Sequence, residues 1–244
     1  SPSATVAAIE GGSALKIVGQ VYRGSVIEIA VKANSPIRTF ADLKGKKIGF
    51  TRPGSATHTL IKAMLAKGGL AQTDATLVPL GDIPSIGIAL DEGSIDAGPP
   101  AGEVGLAERV DVKKDWRIIA TGEDLIPGYF EIAIVVKEST LRDRPELVRS
   151  LFRALNKARD YIARNATSDE LVQIATRFTN TKPEQVQYLK VVVQDYAGRA
   201  DRFWGNYSLN MQGFQAIIDD MVETGALRQR PADVNKYLDL SFVR

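Results

Sequence analysis

The run Thr51-Arg52-Pro53-Gly54-Ser55-Ala56-Thr57 has the residue types and spacing best suited to chemistry in this chain. It follows the strand-like Lys46-Lys47-Ile48-Gly49-Phe50 and opens a helix-periodic stretch from about Ser55 to Lys67. At a helix start the first N–H groups lack intrahelical acceptors and the positive end of the helix dipole is exposed, so negative charge is favoured there. Gly54 lets a ligand approach the backbone closely. A carboxylate, sulfonate, phosphate or nitrate suits such a place. The same residues also read as an ordinary N-cap, since Ser after Gly is a common way to begin a helix. The spacing is not that of a P-loop, because the second glycine and the Lys-Ser/Thr pair are missing.

Catalytic chemistry has little to work with. The chain has no cysteine and a single histidine, His58, which excludes thiolate catalysis, disulfides and multi-histidine metal sites. No Gly-x-Ser-x-Gly elbow occurs, and His58 sits three residues into a helix, where a place on a helical face accounts for it. The expectation is that the protein is not an enzyme and holds no cofactor or metal.

The elements that must carry the candidate loop read as alternating strands and helices. A short helix ends at Gly11-Gly12, and strands are expected at Leu15–Val21 and Val26–Lys32. From Phe40 the alternation is regular. Lys46–Phe50, Thr76–Leu80, Ile95–Ala97 and Arg117–Ala120 read as strands, with helices near 55–67, 83–90 and 103–109 between them. Alternation of this kind predicts a mostly parallel sheet covered by helices. Phe130–Lys137 echoes Ile27–Lys32, as two buried strands of similar composition would, or as a pair in which one strand leaves a first lobe and the other returns to it.

Beyond Lys137 the pattern is almost wholly helical. Asp143 with Glu146, Thr167 with Glu170, and Thr181 with Glu184 read as capping boxes or close variants. Leu147, Leu151, Leu155, Ala158 and Ile162 form an apolar stripe on the first of these helices. Met211, Phe214, Ile218, Met221 and Val222 form another, ending near Gly225. Trp204 is expected to pack among these helices.

With 44% hydrophobic and 25% charged residues over 244 positions, the chain can bury a core and has room for two lobes. A formal charge of +2 gives no case for nucleic acid as a partner. No apolar run approaches the ~20 residues that span a bilayer.

The stretch from Ala41 to Leu70, together with Ile95-Asp96-Ala97 and the strand at Glu131, resembles the solute-binding proteins of nitrate, sulfonate and taurine ABC transporters, a family that includes thiamine-precursor binders. The resemblance runs from Ser1 to about Val222. It implies an α/β architecture of the type II periplasmic-binding kind, with two Rossmann-like lobes joined by two hinge strands and a ligand in the cleft. The first lobe is expected over 1–32 and 128–244 and the second over 33–127. The family pattern begins with a further strand and helix, so an N-terminal βαβ part of the first lobe is expected to be missing from this sequence.

The same resemblance places Ser1 and Ser3 on a first-lobe loop facing the ligand and Gly54, Ser55 and Ala56 at the second-lobe helix start. It brings Pro99 and Pro100 near the ligand and sets Tyr22, Arg23 and Tyr129 beside the hinges. Arg23 or Arg52 can pair bidentately with an acidic group, and Glu131 can bind an amine or cap a neighbouring backbone. The implied partners are a small anionic ligand and an ABC transporter permease, with no nucleic acid and no membrane insertion. The implied location is periplasmic or lipid-anchored extracellular. The alternatives are a ligand-sensing effector domain of a transcription regulator and an orphan binding protein of the same fold. The thiamine-precursor synthases related to this family use a cysteine-rich segment, which this sequence lacks.

Overall fold

Local chemistry sets most of the element boundaries. Pro2 at the first helical position, with Ser1 Oγ accepting from Ala4 N–H at 3.3 Å, starts helix α1 (Pro2–Glu10). The β-branched runs become strands β1 (Leu15–Gln20), β2 (Glu28–Lys32), β3 (Lys47–Phe50), β4 (Thr76–Pro79), β5 (Trp116–Thr121) and β6 (Ala133–Lys137). Between them lie helices α2 (Ala56–Lys67), α3 (Ile83–Glu92), α4 (Glu103–Leu106) and α5 (Gly122–Leu125). Helix α4 continues as a π-helical stretch over Ala107–Val112. Among the described residues there follow α6 (Glu138–Asp143), α7 (Pro145–Arg164), α8 (Asp169–Thr179), α9 (Val186–Gly198) and α10 (Met211–Glu223). The structure is a computed structural model and describes residues 1–198, 200 and 204–243.

The chain groups into two compact units, one of Ser1–Ser25, Gly128–Gln173 and Val193–Arg244, the other of Val26–Pro127 and Ile174–Val192. Two segments thus fall outside the boundaries expected from the sequence. Val26–Lys32 belongs to the second unit because β2 pairs antiparallel with β5, from Glu28↔Thr121 to Lys32↔Trp116. Residues 174–192 join it too, where the side chain of Gln185 hydrogen-bonds the Glu108 carboxylate.

In the second unit β3 and β4 run parallel, in register from Lys47↔Thr76 to Phe50↔Pro79. Ile95-Asp96-Ala97, expected as a strand, and the following Gly98 make only single bridges. Ala97 meets Ile48 in parallel and Gly98 meets Ala30 antiparallel, so this segment links β3 to β2. Alternation along β3 sends Gly49 to the α3 side, where a Cβ would lie 2.6 Å from Ile95 Cδ1 and 3.0 Å from Leu80 Cδ1. A side chain at 49 would have to displace Ile95 and Leu80, while Ile86 of α3 lies 3.4 Å from the same position. The α3 cluster joins Ile86, Leu90 and Ile95 to Leu106 and Trp116. Leu60, Ile61, Met64 and Leu65 of α2 are fully buried.

In the first unit β1 and β6 pair antiparallel, and Leu238 bridges Ile17 on the other side of β1. Val18, Val148, Phe152 and Tyr207 form one core cluster. Tyr237 is fully buried against Phe214 and donates its hydroxyl to Glu10 Oε1 at 2.9 Å.

Several helix details differ from expectation. The stripe on α7 is turned by one residue: Val148 and Phe152 are buried, while Leu147 and Leu151 are 48% and 40% exposed. Both faces repeat at i, i+4, and the β1 core chooses between them. Chain 138–143 is already helical, so Asp143 ends α6 and Arg144 stands before α7 with no side-chain cap, which leaves Glu146 to pair with Arg149. Ser168, not Thr167, accepts at the α8 start, from Leu171 N–H at 3.1 Å. Thr181 does not cap either, since Lys182 precedes a short 3₁₀ turn at Pro183–Gln185. Among the described residues no helix is long and apolar enough to cross a membrane.

Candidate functional site

Strand β3 ends where α2 begins, and three hydroxyls close into a ring at that junction. Thr51 Oγ1 donates to Ser55 Oγ at 2.9 Å, and Thr57 Oγ1 lies 2.9 Å from each of them. Ser55 is the N-cap, with φ −79° and ψ 163°, and its Oγ accepts from His58 N–H at 3.3 Å. Thr57 Oγ1 also accepts the Thr51 N–H at 3.0 Å. The ring is anchored by backbone on both sides, with Thr57 buried and Thr51 and Ser55 half-buried.

The turn that delivers Ser55 depends on Gly54, whose φ of 73° lies in the left-handed region. Gly54 N–H donates to His58 Nδ1 at 3.3 Å, and the His58 ring stacks on Phe50 with centroids 4.6 Å apart. The single histidine is thus a fastener for the loop. The N–H groups of Ala56 and Thr57 have no protein acceptor among the described residues. Helix α2 carries no acidic residue in its first turn and Lys67 in its last, so its N-terminal field is not cancelled locally. Two open N–H groups next to hydroxyls that can rotate a proton outward form a site for an oxyanion or a polyhydroxyl group.

The sequence pointed to Gly54, Ser55 and Ala56, and the structure brings them together. It did not single out Thr51 and Thr57 as ring members, although Thr at four residues before and two after the cap was the available signal. Arg52 is exposed beside the loop. Pro99 and Pro100 are buried, and the Pro100 carbonyl lies where a Cβ on Gly87 would stand, 2.5 Å away. Packing against α3 is what this loop does inside its own unit.

The remaining candidates belong to the first unit and form separate groups. Ser1 and Ser3 hydroxyls lie 3.2 Å apart at the start of α1. Tyr22 receives a hydrogen bond on its carbonyl from Gln20 Nε2 at 3.0 Å. Arg23 is exposed and reaches Asn206 and Ser208. Glu131 accepts from the Ser25 hydroxyl, and Tyr129 is buried next to α10. Among the described residues no cluster of three or more His, Asp or Glu is placed to hold a metal.

Such a fold, with a donor-rich helix start after a parallel strand, defines an α/β protein of the periplasmic-binding kind. The chain belongs to the NMT1/THI5-like family, whose model matches residues 1–168. It is 26% identical to the riboflavin-binding protein RibY of Chloroflexus aurantiacus over all of this chain and 69% of that one. Its structure is similar to the periplasmic aliphatic sulphonate binding protein SsuA of Escherichia coli, with a TM-score of 0.72 at 18% identity, covering 96% of this chain and 72% of that one. It is also similar to the desulfurization enzyme DSZB, with a TM-score of 0.60 at 16% identity, covering 99% of this chain and 82% of that one. The fold therefore hosts both binding proteins and an enzyme.

Proposed function

We propose that this protein is the solute-binding component of an ABC importer, working in the periplasm and capturing a small anion at the start of α2. The observation that carries this reading is the Thr51–Ser55–Thr57 ring beside the open N–H groups of Ala56 and Thr57. Such a site offers neutral, preorganised donors to a sulfonate, carboxylate or nitrate. Family membership and the likeness to a sulphonate-binding protein support the same class. Without cysteine, the chain has no thiolate for covalent chemistry. Binding shifts a conformational equilibrium, and a permease is the partner that reads the bound state.

A second reading, a flavin as the solute, is favoured by the RibY match, which covers the whole chain. A ribityl chain can use the same hydroxyl ring. Titration calorimetry with ethanesulfonate, taurine, nitrate and acetate, beside riboflavin fluorescence quenching, separates the two. Binding of one anion class that Ser55→Pro abolishes supports the first reading. Riboflavin binding with no anion response replaces it by the second, and no binding in either arm overturns the transport assignment.

A further inference from the structure

The start of α2 has the plan of a capping box with one change of residue type. In that motif a Ser or Thr at the cap accepts from the N–H three residues on, and a Glu or Gln at that third position reaches back to a backbone N–H. Ser55 performs the first half, its Oγ accepting from His58 N–H at 3.3 Å. The second half falls to an imidazole. His58 Nδ1 accepts from Gly54 N–H at 3.3 Å, one residue before the usual donor, and Ser55 N–H is given to Arg52 O at 3.1 Å.

Elsewhere in the same unit the acceptor that reaches back is a carboxylate. Asp42 Oδ2 accepts from Thr39 N–H at 2.8 Å, and Asp124 Oδ2 accepts from Thr121 N–H at 3.0 Å. A carboxylate in that place brings negative charge to the helix start and offsets the field that would otherwise draw an anion. A ring nitrogen that accepts a hydrogen bond carries no proton, so His58 closes its box as a neutral group. The stack on Phe50, with centroids 4.6 Å apart, holds the ring in place for this.

Charge along the chain agrees. No acidic residue falls between Asp42 and Asp74, whereas Lys44, Lys46, Lys47, Arg52, Lys62 and Lys67 all lie in that interval. The strand, loop and helix that carry the Thr51–Ser55–Thr57 ring therefore have a positive excess. Glutamate at 58 would stabilise the helix start at least as well as the imidazole does, and it would cancel part of that excess.

We propose that His58 is a positioning residue that fixes the Gly54–Ser55 turn with a neutral acceptor, leaving the positive field of the α2 start to the anionic group of the solute, a sulfonate, carboxylate or nitrate. This rests on the anion-binding reading above, and every residue it uses lies in one compact unit.

The test compares His58→Glu with His58→Gln, two side chains of one shape that both close capping boxes and differ in charge. Ethanesulfonate calorimetry on the full chain, at neutral pH and two salt concentrations, is paired with urea midpoints. His58→Gln should bind within about threefold of wild type. His58→Glu should have a midpoint equal to or above that of His58→Gln and yet bind about tenfold more weakly, with the deficit shrinking at the higher salt. A box that serves stability alone predicts equal affinity for the two variants. If the wild type binds ethanesulfonate, Ser55→Pro abolishes it, and His58→Glu binds within about twofold of His58→Gln or neither variant binds, this proposal is overturned and the anion reading stands. A wild type that binds none of ethanesulfonate, taurine, nitrate and acetate overturns both.

Discussion

Thr51 at the end of β3 and Ser55 at the cap of α2 share a hydrogen bond of 2.9 Å between their hydroxyls. The strand end and the helix start are thus one polar unit, and the residue that caps the helix also presents donors to solvent. Ser55→Ala removes the cap and opens the ring. We expect a loss of about 1 kcal/mol in urea unfolding, together with an anion affinity reduced about tenfold in calorimetry. Thr51→Val should weaken binding with a smaller cost in stability, because the cap to His58 N–H survives.

Arg109 clamps the π-helical stretch by reaching Asp91 with Nη2–Oδ1 at 2.6 Å and Nη1–Oδ2 at 2.9 Å. Its Cζ stands 3.9 Å from the Trp116 ring centroid, and Trp116 Nε1 donates to Asp91 at 2.9 Å. The hydrogen bond from Arg109 holds the Asp91 carboxyl below its ordinary value of 3.8, against desolvation. A depressed folded-state value means that this stability is present above the unfolded pKa and is lost as pH falls through the folded one. Asp91→Asn should lower the urea midpoint at pH 6 by the equivalent of about 0.5–1 kcal/mol, a partly exposed pair being screened by solvent. The variant should also show a smaller loss than wild type below pH 4.

Tyr207 combines an unfavourable backbone with a buried, hydrogen-bonded ring. Tyr207→Phe keeps the ring and deletes the bond to Leu155 O, so a destabilisation of about 1 kcal/mol is expected from urea curves. An unchanged midpoint would show that the hydroxyl contributes nothing.

Helix α10 meets residues 128–129 through Gly213. A Cβ there would lie 1.9 Å from Gly128 O, which is backbone and has no rotamer by which to move aside. Gly213→Ala should cost about 3 kcal/mol, read as a lower thermal midpoint, although alanine is the better helix former.

Much of the second unit was legible from local pattern. Lys47–Phe50, Ala56–Lys67, Thr76–Pro79 and Ile83–Glu92 stand within two residues of where β-branched runs and helical periodicity put them. The helix start at Ser55 was legible for the same reason: a glycine, a hydroxyl cap and an apolar repeat are all adjacent in sequence. The helical half was read less well. Asp143, Thr167 and Thr181 each had the right type for a cap, but the neighbouring 138–143 helix, Ser168 and Lys182 took the positions instead.

What the sequence determined by itself were features governed by neighbours along the chain: the alternation of strands and helices, the Gly54–Ser55 helix start, and the absence of thiol chemistry. Which face of α7 is buried was decided only in three dimensions, because Val148–Phe152 and Leu147–Leu151 are equally periodic and only the surface of β1 distinguishes them. What Arg23 touches was invisible for a similar reason. Its partners Asn206 and Ser208 lie 183 and 185 residues away, and no local rule relates residues at that separation until Gln20 and the left-handed turn at Tyr207 bring the two segments together.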